Sequence, residues 1–243
     1  MKKFLLVLLS MVTVVSLAVS VDSKKKKTAY EVKQVTNGGS IAGKALFAGA
    51  TPPKDETLTL TSEQNLCGNT LPAQKYLING KKEIKNVVVY IDDIESGKAI
   101  PKDKSLIDNV KCAFEPHVSV GYKGNEIDIR NSDPVFHNVH SYISGKTTYN
   151  LGLPDKGSVV TKEMKRDGVM EVKCDSHPWM LGYVFISEHP YAVATNETGD
   201  FSISDVPPGT YEVKAWHEGF GELSLGQVTV EAGKTAKINA NYK

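Results

Sequence analysis

Residues 114–140 read FEPHVSVGYKGNEIDIRNSDPVFHNVH, and the alternation inside them decides the fold class. Val118, Val120 and Tyr122 alternate with small or polar residues. Gly124 and Asn125 supply a turn, Ile127 and Ile129 resume the alternation, and Asn131-Ser132-Asp133-Pro134 turns the chain again. A period of two punctuated by Gly, Asn, Asp and Pro is the pattern of short β-strands joined by tight turns. The same texture runs from residue 38 to the end, through IAGKALFAG (41–49), NVVVYID (86–92), VMEVKC (169–174), GYVFIS (182–187), FSIS (201–204) and TYEVKAWH (210–217). Helical periodicity is missing outside an N-terminal apolar run, although residues 61–75 leave room for a turn or short helix. The expectation is an all-β chain built of sandwiches or barrels.

The stretch CDSHPWM (174–180) sets a thiol, an imidazole and a thioether inside seven residues of a chain that has only three cysteines. A second imidazole is available from HNVH (137–140), in which His137 and His140 point to opposite faces if the segment is a strand. Two histidines and a thiolate, with a weak thioether on the axis, form the ligand set of a blue-copper electron-transfer centre. Cys174, His177 and Met180 are therefore candidate ligands, joined by one histidine of the HNVH pair, the other reading as structural. His117, His189 and His217 have no ligand-type neighbours and read as surface or packing residues. Met164 and Met170 read as core.

These segments carry a family resemblance. FEPHVSVGYKGNEIDIRNSDPVFHNVH resembles the cupredoxin pattern of a strand, a glycine turn, and a second strand ending in Asn-x-Asp before the first copper histidine. CDSHPWMLGYVFIS resembles its closing loop and last strand, with the short spacing of the amicyanin type. The resemblance covers roughly residues 110–188. It implies a cupredoxin-like Greek-key β-sandwich over 98–188 that holds one type 1 copper by His137, Cys174, His177 and axial Met180, with Asn138 hydrogen-bonding around the cysteine. The loop is too short to fold far over a metal, so His177 is expected to be the exposed ligand. Redox partner proteins would then dock near His177, Pro178 and Trp179.

A second resemblance lies in NETGDFSISDVPPGTYEVKAWHEGF (196–220), which is similar to the carboxypeptidase regulatory-like, transthyretin-like domain. It implies a second, transthyretin-like β-sandwich over 189–243. Five strands are few for an independent sandwich. The strands of 38–97 either complete this module or extend the sheet of the copper domain.

At the N-terminus, Lys2 and Lys3 precede an apolar run ending in Ala18-Val19-Ser20, which reads as an export signal over 1–20 followed by a Lys-rich linker over 21–37. The mature chain is expected to be periplasmic or secreted, with membrane contact only if that segment is uncleaved. In an oxidising compartment an odd cysteine count leaves one thiol over. Cys174 has the ligand-type neighbours, so Cys67 and Cys112 are expected to form a disulfide, although the other pairings remain open at this stage. With 29 basic and 28 acidic residues, no net field points to nucleic acid.

The expected function is carriage of single electrons between redox partners, not catalysis. The chain has no His-x-His pair for a multicopper oxidase, no second loop cysteine for a binuclear site because position 178 is proline, and no His-x-x-Glu pair for a zinc peptidase. Two other readings stay open: copper delivery without redox turnover, and a surface interaction module whose metal site is secondary.

Overall fold

The computed structural model describes residues 29–243, so the expected export signal and the first part of the linker lie outside the described residues. The run Val88-Val89-Tyr90-Ile91 shows how the chain is layered. A strand with one face in water alternates, whereas all four of these residues are buried. Val89 and Ile91 face one apolar core with Ile41, Phe201, Val213 and Tyr242. Val88 and Tyr90 face another, with Val118, Tyr183, Phe185 and Trp216. A strand buried on both sides reads as a continuous apolar run, and this one lies between two sandwiches.

The first sandwich is assembled from both ends of the chain. One sheet runs Ala192–Ala194, Val88–Ile91, Gly209–His217, Gly221–Val230. The other runs Asp200–Val206, Gly39–Phe47, Thr235–Lys237, with Ala240–Tyr242 also paired to Gly39–Phe47. Gly43 is needed where that strand meets the C-terminal segment, since a Cβ there would lie 1.6 Å from the carbonyl oxygen of Ile238. Of the segment between its two N-terminal strands, Ile78, Ile84 and Val87 pack on this core, but an earlier part leaves it. A hairpin, Thr57–Thr59 with Thr70–Pro72, carries the short helix Gln64–Cys67 at its tip, and Leu60 and Cys67 are buried in the core of the second sandwich.

That second sandwich has a five-stranded sheet in the order Lys146–Leu153, His137–Ile143, Gly168–Lys173, Leu181–Ser187, Val118–Tyr122. Facing it is a four-stranded sheet in the order Val159–Glu163, Glu126–Asn131, Ser105–Val110, Ala113–Glu115. Two parallel pairings, Glu126–Asn131 with Ser105–Val110 and Leu181–Ser187 with Val118–Tyr122, tie its first strands to its later ones. The chain is all-β, as the alternation predicts. Cys67 and Cys112 are bonded, with Cα atoms 5.6 Å apart, and this disulfide joins the hairpin tip to the second sandwich.

The sandwiches meet through aromatic contacts. Tyr90 and Phe185 have ring centroids 4.7 Å apart, and Tyr183 and Trp216 have theirs 5.4 Å apart. At the rim of this contact His117 of one sandwich pairs with Glu218 of the other, and both side chains are buried. His117, His189 and His217 are all buried packing residues and not surface ones.

His217 is the most enclosed of them. Its Nδ1 accepts from the backbone N–H groups of Gly219 (3.1 Å) and Phe220 (3.3 Å), so the neutral ring is the form that fits. Burial, aided by the nearby His117 and Lys75, pushes its pKa from the ordinary 6.5 down to about 4. Between those values the unfolded chain binds a proton that the folded chain refuses. Stability therefore falls as pH drops through that window, by about 3 kcal/mol from this residue, and levels off below it. Urea denaturation at about pH 7 and about pH 4.5 should show this loss in the parent protein and a shallower one in His217→Gln; equal slopes would contradict it.

Candidate metal centre

Two segments far apart in sequence converge because the strand His137–Ile143 pairs with Gly168–Lys173, placing His140 opposite Lys173. Cys174 follows at the end of that ladder, level with the start of the other strand. Asn138 closes the end of the ladder. Its backbone N–H points at Cys174 Sγ (3.4 Å), its Oδ1 accepts from the Asp175 N–H (2.7 Å), and its Nδ2 donates to Asp175 Oδ2 (2.8 Å).

His137 is fully buried. The loop before it is built by Asn131, whose side-chain nitrogen donates to the carbonyls of Val135 and Leu153 and whose oxygen accepts from the Asp133 N–H. Asp133 is thereby set against His137, with its Oδ2 3.0 Å from Nε2, while also accepting from the backbone N–H groups of Lys111 and Cys112. A carboxylate at Nε2 fixes the proton there and leaves the Nδ1 lone pair free. Among the described residues that Nδ1 is buried without a hydrogen-bond partner.

His137 belongs to a group. Donor atoms of His137, Cys174 and His177 all lie within 4.8 Å of one another. Cys174 Sγ is 3.5 Å from His177 Nδ1, and the two imidazole centroids are 4.6 Å apart. Burial pushes the pKa of both rings down, and for His177 the neighbouring His137 adds to the effect. Both imidazoles are therefore held in the neutral form that a metal needs. Met180 is buried in the same apolar core, and its N–H donates to the His177 carbonyl (2.9 Å), which closes the loop as a turn. His140 lies on the opposite face and pairs with Asp175 and Thr147, in keeping with a structural role.

A further group, Cys112, Asp133 and His137, is equally close, but Cys112 is in the disulfide. It marks how near the disulfide comes to His137.

The exposure of His177 is the point at which the structure departs from expectation. Its loop is as short as the spacing requires, yet His177 is only 4% exposed. The cover comes from elsewhere in the chain. Leu66 and Leu71 of the hairpin pack on the same core as Cys174 and Met180, and Leu58 and Leu71 line a cleft together with Trp179 and Met180. The Glu63 carboxylate lies near enough to oppose the pKa shift of both histidines. The Trp179 ring lies against His177, with centroids 5.1 Å apart and the planes tilted by 48°, and donates its indole N–H to the Cys112 carbonyl (3.1 Å). Pro178 is exposed and Trp179 half-buried.

Sequence reasoning did not assign a role to Asp133, although its position four residues before His137, inside the Asn-x-Asp turn, is the signal that could have found it. The hairpin cover left no such signal, because Leu60, Leu66 and Leu71 read as ordinary apolar residues.

Residues 184–243 match the carboxypeptidase regulatory-like domain family. That match begins within the strand Leu181–Ser187 of the other sandwich. Among solved structures, the chain is similar to a purple cupredoxin from Nitrosopumilus maritimus, at 23% identity over 35% of this chain and 100% of that one, with a TM-score of 0.30. It is also similar to amicyanin from Paracoccus versutus (Thiobacillus versutus), at 18% identity over 36% of this chain and 84% of that one, with a TM-score of 0.31. A Cu-containing nitrite reductase from Thermus scotoductus SA-01 aligns at 18% identity over 40% of this chain and 25% of that one, with a TM-score of 0.31, so this chain spans a quarter of its length. No curated protein matches the chain.

The burial of Cys174, which is 2% exposed, has a direct chemical consequence. In metal-free native protein an aromatic disulfide reagent should find no thiol within minutes, and in denaturant it should find the single free one. Rapid reaction of the native protein would mean that the cover over the site is open in solution.

Proposed function

We propose that this chain is an exported type 1 copper protein that carries single electrons between redox partners. The observation that carries the reading is the free, buried Nδ1 of His137 within one group with Cys174 and His177. Copper held by His137, Cys174 and His177, with Met180 as the weak axial thioether, would supply a one-electron couple.

The surrounding residues each do a defined part of the work. Asp133 keeps the His137 proton on Nε2 and turns Nδ1 inward. The Asn138 N–H fixes the sulfur of Cys174, and burial keeps both imidazoles neutral. A ligand set pinned in this way moves little between oxidation states, which is what a carrier requires. Nothing in the role calls for a substrate pocket or a general base, so the chain is read as a carrier and not an enzyme.

Burial also favours carriage over delivery. A delivery protein must hand its metal to a partner by ligand exchange, whereas here all three donor residues are at most 4% exposed and sit under a hairpin clasped by a disulfide. Electrons, unlike ions, need no open path. With His177 covered, the half-buried Trp179 and the exposed Pro178 are the parts of the ligand loop a redox partner would reach. The reading places the mature protein outside the cytoplasm, where such a disulfide persists.

Adding Cu(II) to the metal-free protein should produce strong visible absorption from sulfur-to-copper charge transfer, and Cys174→Ser should abolish it. A colourless complex, or a variant that keeps the colour, would overturn the copper–thiolate reading. A chelator challenge separates the two copper functions. The parent protein should hold its metal, and the Cys67→Ser/Cys112→Ser variant should lose it about tenfold faster or more, because a disulfide closing a loop of this length contributes roughly 3–5 kcal/mol. Equally fast loss from both would favour delivery.

A further inference from the structure

We propose that Asn196 is an N-glycosylation site, taking an oligosaccharide from a lipid-pyrophosphate donor. The inference rests on export and on the turn around Asn196, and is independent of the copper reading.

Asn196-Glu197-Thr198 is the only Asn-x-Ser/Thr triplet in the sequence, and its middle residue is not proline. It occupies the turn between Ala192–Ala194 and Asp200–Val206, where all three residues are exposed. An asparagine in such a turn shapes the backbone through its side-chain oxygen and leaves its nitrogen free. Asn196 Oδ1 accepts from the Thr198 N–H (3.0 Å) and the Asp200 N–H (2.9 Å), while the Thr198 hydroxyl lies 3.0 Å from it and donates to the Asp200 carboxylate. Nδ2 has no partner among the described residues, so the amide nitrogen is the end left to the solvent.

The turn is held from below. Lys44 Nζ donates to the Thr198 carbonyl (2.7 Å) and pairs with Asp200 (2.9 Å), and Lys85 pairs with Glu197 (2.5 Å). Gly199 takes a φ of +67°, and a Cβ there would lie 2.7 Å from the Ala45 carbonyl oxygen, so the chain can pass close beneath the triplet. Acceptor asparagine, hydroxyl and outward amide are thus presented together on a rigid surface turn, which is where a bulky, solubilising group can be carried without displacing any packing.

The step balances without any redox partner. A bond forms between Asn196 Nδ2 and the anomeric carbon of the first sugar, and the anomeric C–O bond to the lipid pyrophosphate breaks. The pyrophosphate leaves with the electron pair, and one Nδ2 proton passes to a base of the transferase.

The test is tandem mass spectrometry of the protein purified from its own source cells, read at the peptide that contains Asn196. The expected result is a sugar-mass addition localised to Asn196. It should be lost in Asn196→Asp, which keeps the Oδ acceptor of the turn, lost in Thr198→Ala, and kept in Thr198→Ser. An unmodified Asn196 in the native protein would overturn the proposal, as would an addition that survives Thr198→Ala. Either result leaves the copper spectrum untouched, so the two readings fail separately.

Discussion

The site depends on Asn138. Its N–H on the Cys174 sulfur and its side-chain oxygen under the Asp175 N–H lock the end of one strand to the start of another, and without that lock the cysteine loop has no fixed height above His137. Each of these bonds is of ordinary strength, but they act where water is excluded, and a polar group left unpaired there costs about 1–3 kcal/mol. Asp133 completes the arrangement by choosing which nitrogen of His137 faces the cysteine. Three donors within 4.8 Å of one another, two of them from residues 37 positions apart, follow from these two side chains and from the ladder between them.

The pairing of the two sandwiches changes what such a site can do. The first sandwich holds the second from two sides. The aromatic contact of Tyr90 and Trp216 with Tyr183 and Phe185 supports the outer face of the sheet that carries His137, and residues of the 57–72 hairpin pack into the core that holds Cys174 and Met180. The disulfide links that hairpin to the residue whose carbonyl anchors Trp179. In the function we propose, a centre closed in this way would keep water and chelating groups away from the metal and exchange electrons only through its walls. The regulatory-like module is therefore part of the electron-transfer architecture we propose, and not a passive appendage.

Much of this was legible in the residues themselves. Period-two alternation marks the strands because side chains on successive residues face opposite ways, and the C-x2-H-x2-M spacing gathers soft donors in one turn. Even the double burial of Val88–Ile91 is written as an unbroken apolar run. What could not be read is whatever depends on contacts made across long stretches of chain. Leu60 and Leu71 have the same alternation whether they pack on their own sandwich or on its neighbour. His177 has the same loop whether it faces solvent or is buried. Asp133 stood in plain view, but a turn-forming aspartate and one that orients a histidine look alike until the strand after it is placed.

The central claim is that His137, Cys174 and His177 bind copper through one sulfur and two imidazole nitrogens. Copper K-edge X-ray absorption of the copper-loaded protein measures that directly. The account predicts one short copper–sulfur path and two imidazole nitrogens in both the oxidised and the reduced protein, with little change between them. A first shell of oxygen and nitrogen alone, or one that loses an imidazole on reduction at neutral pH, would contradict it.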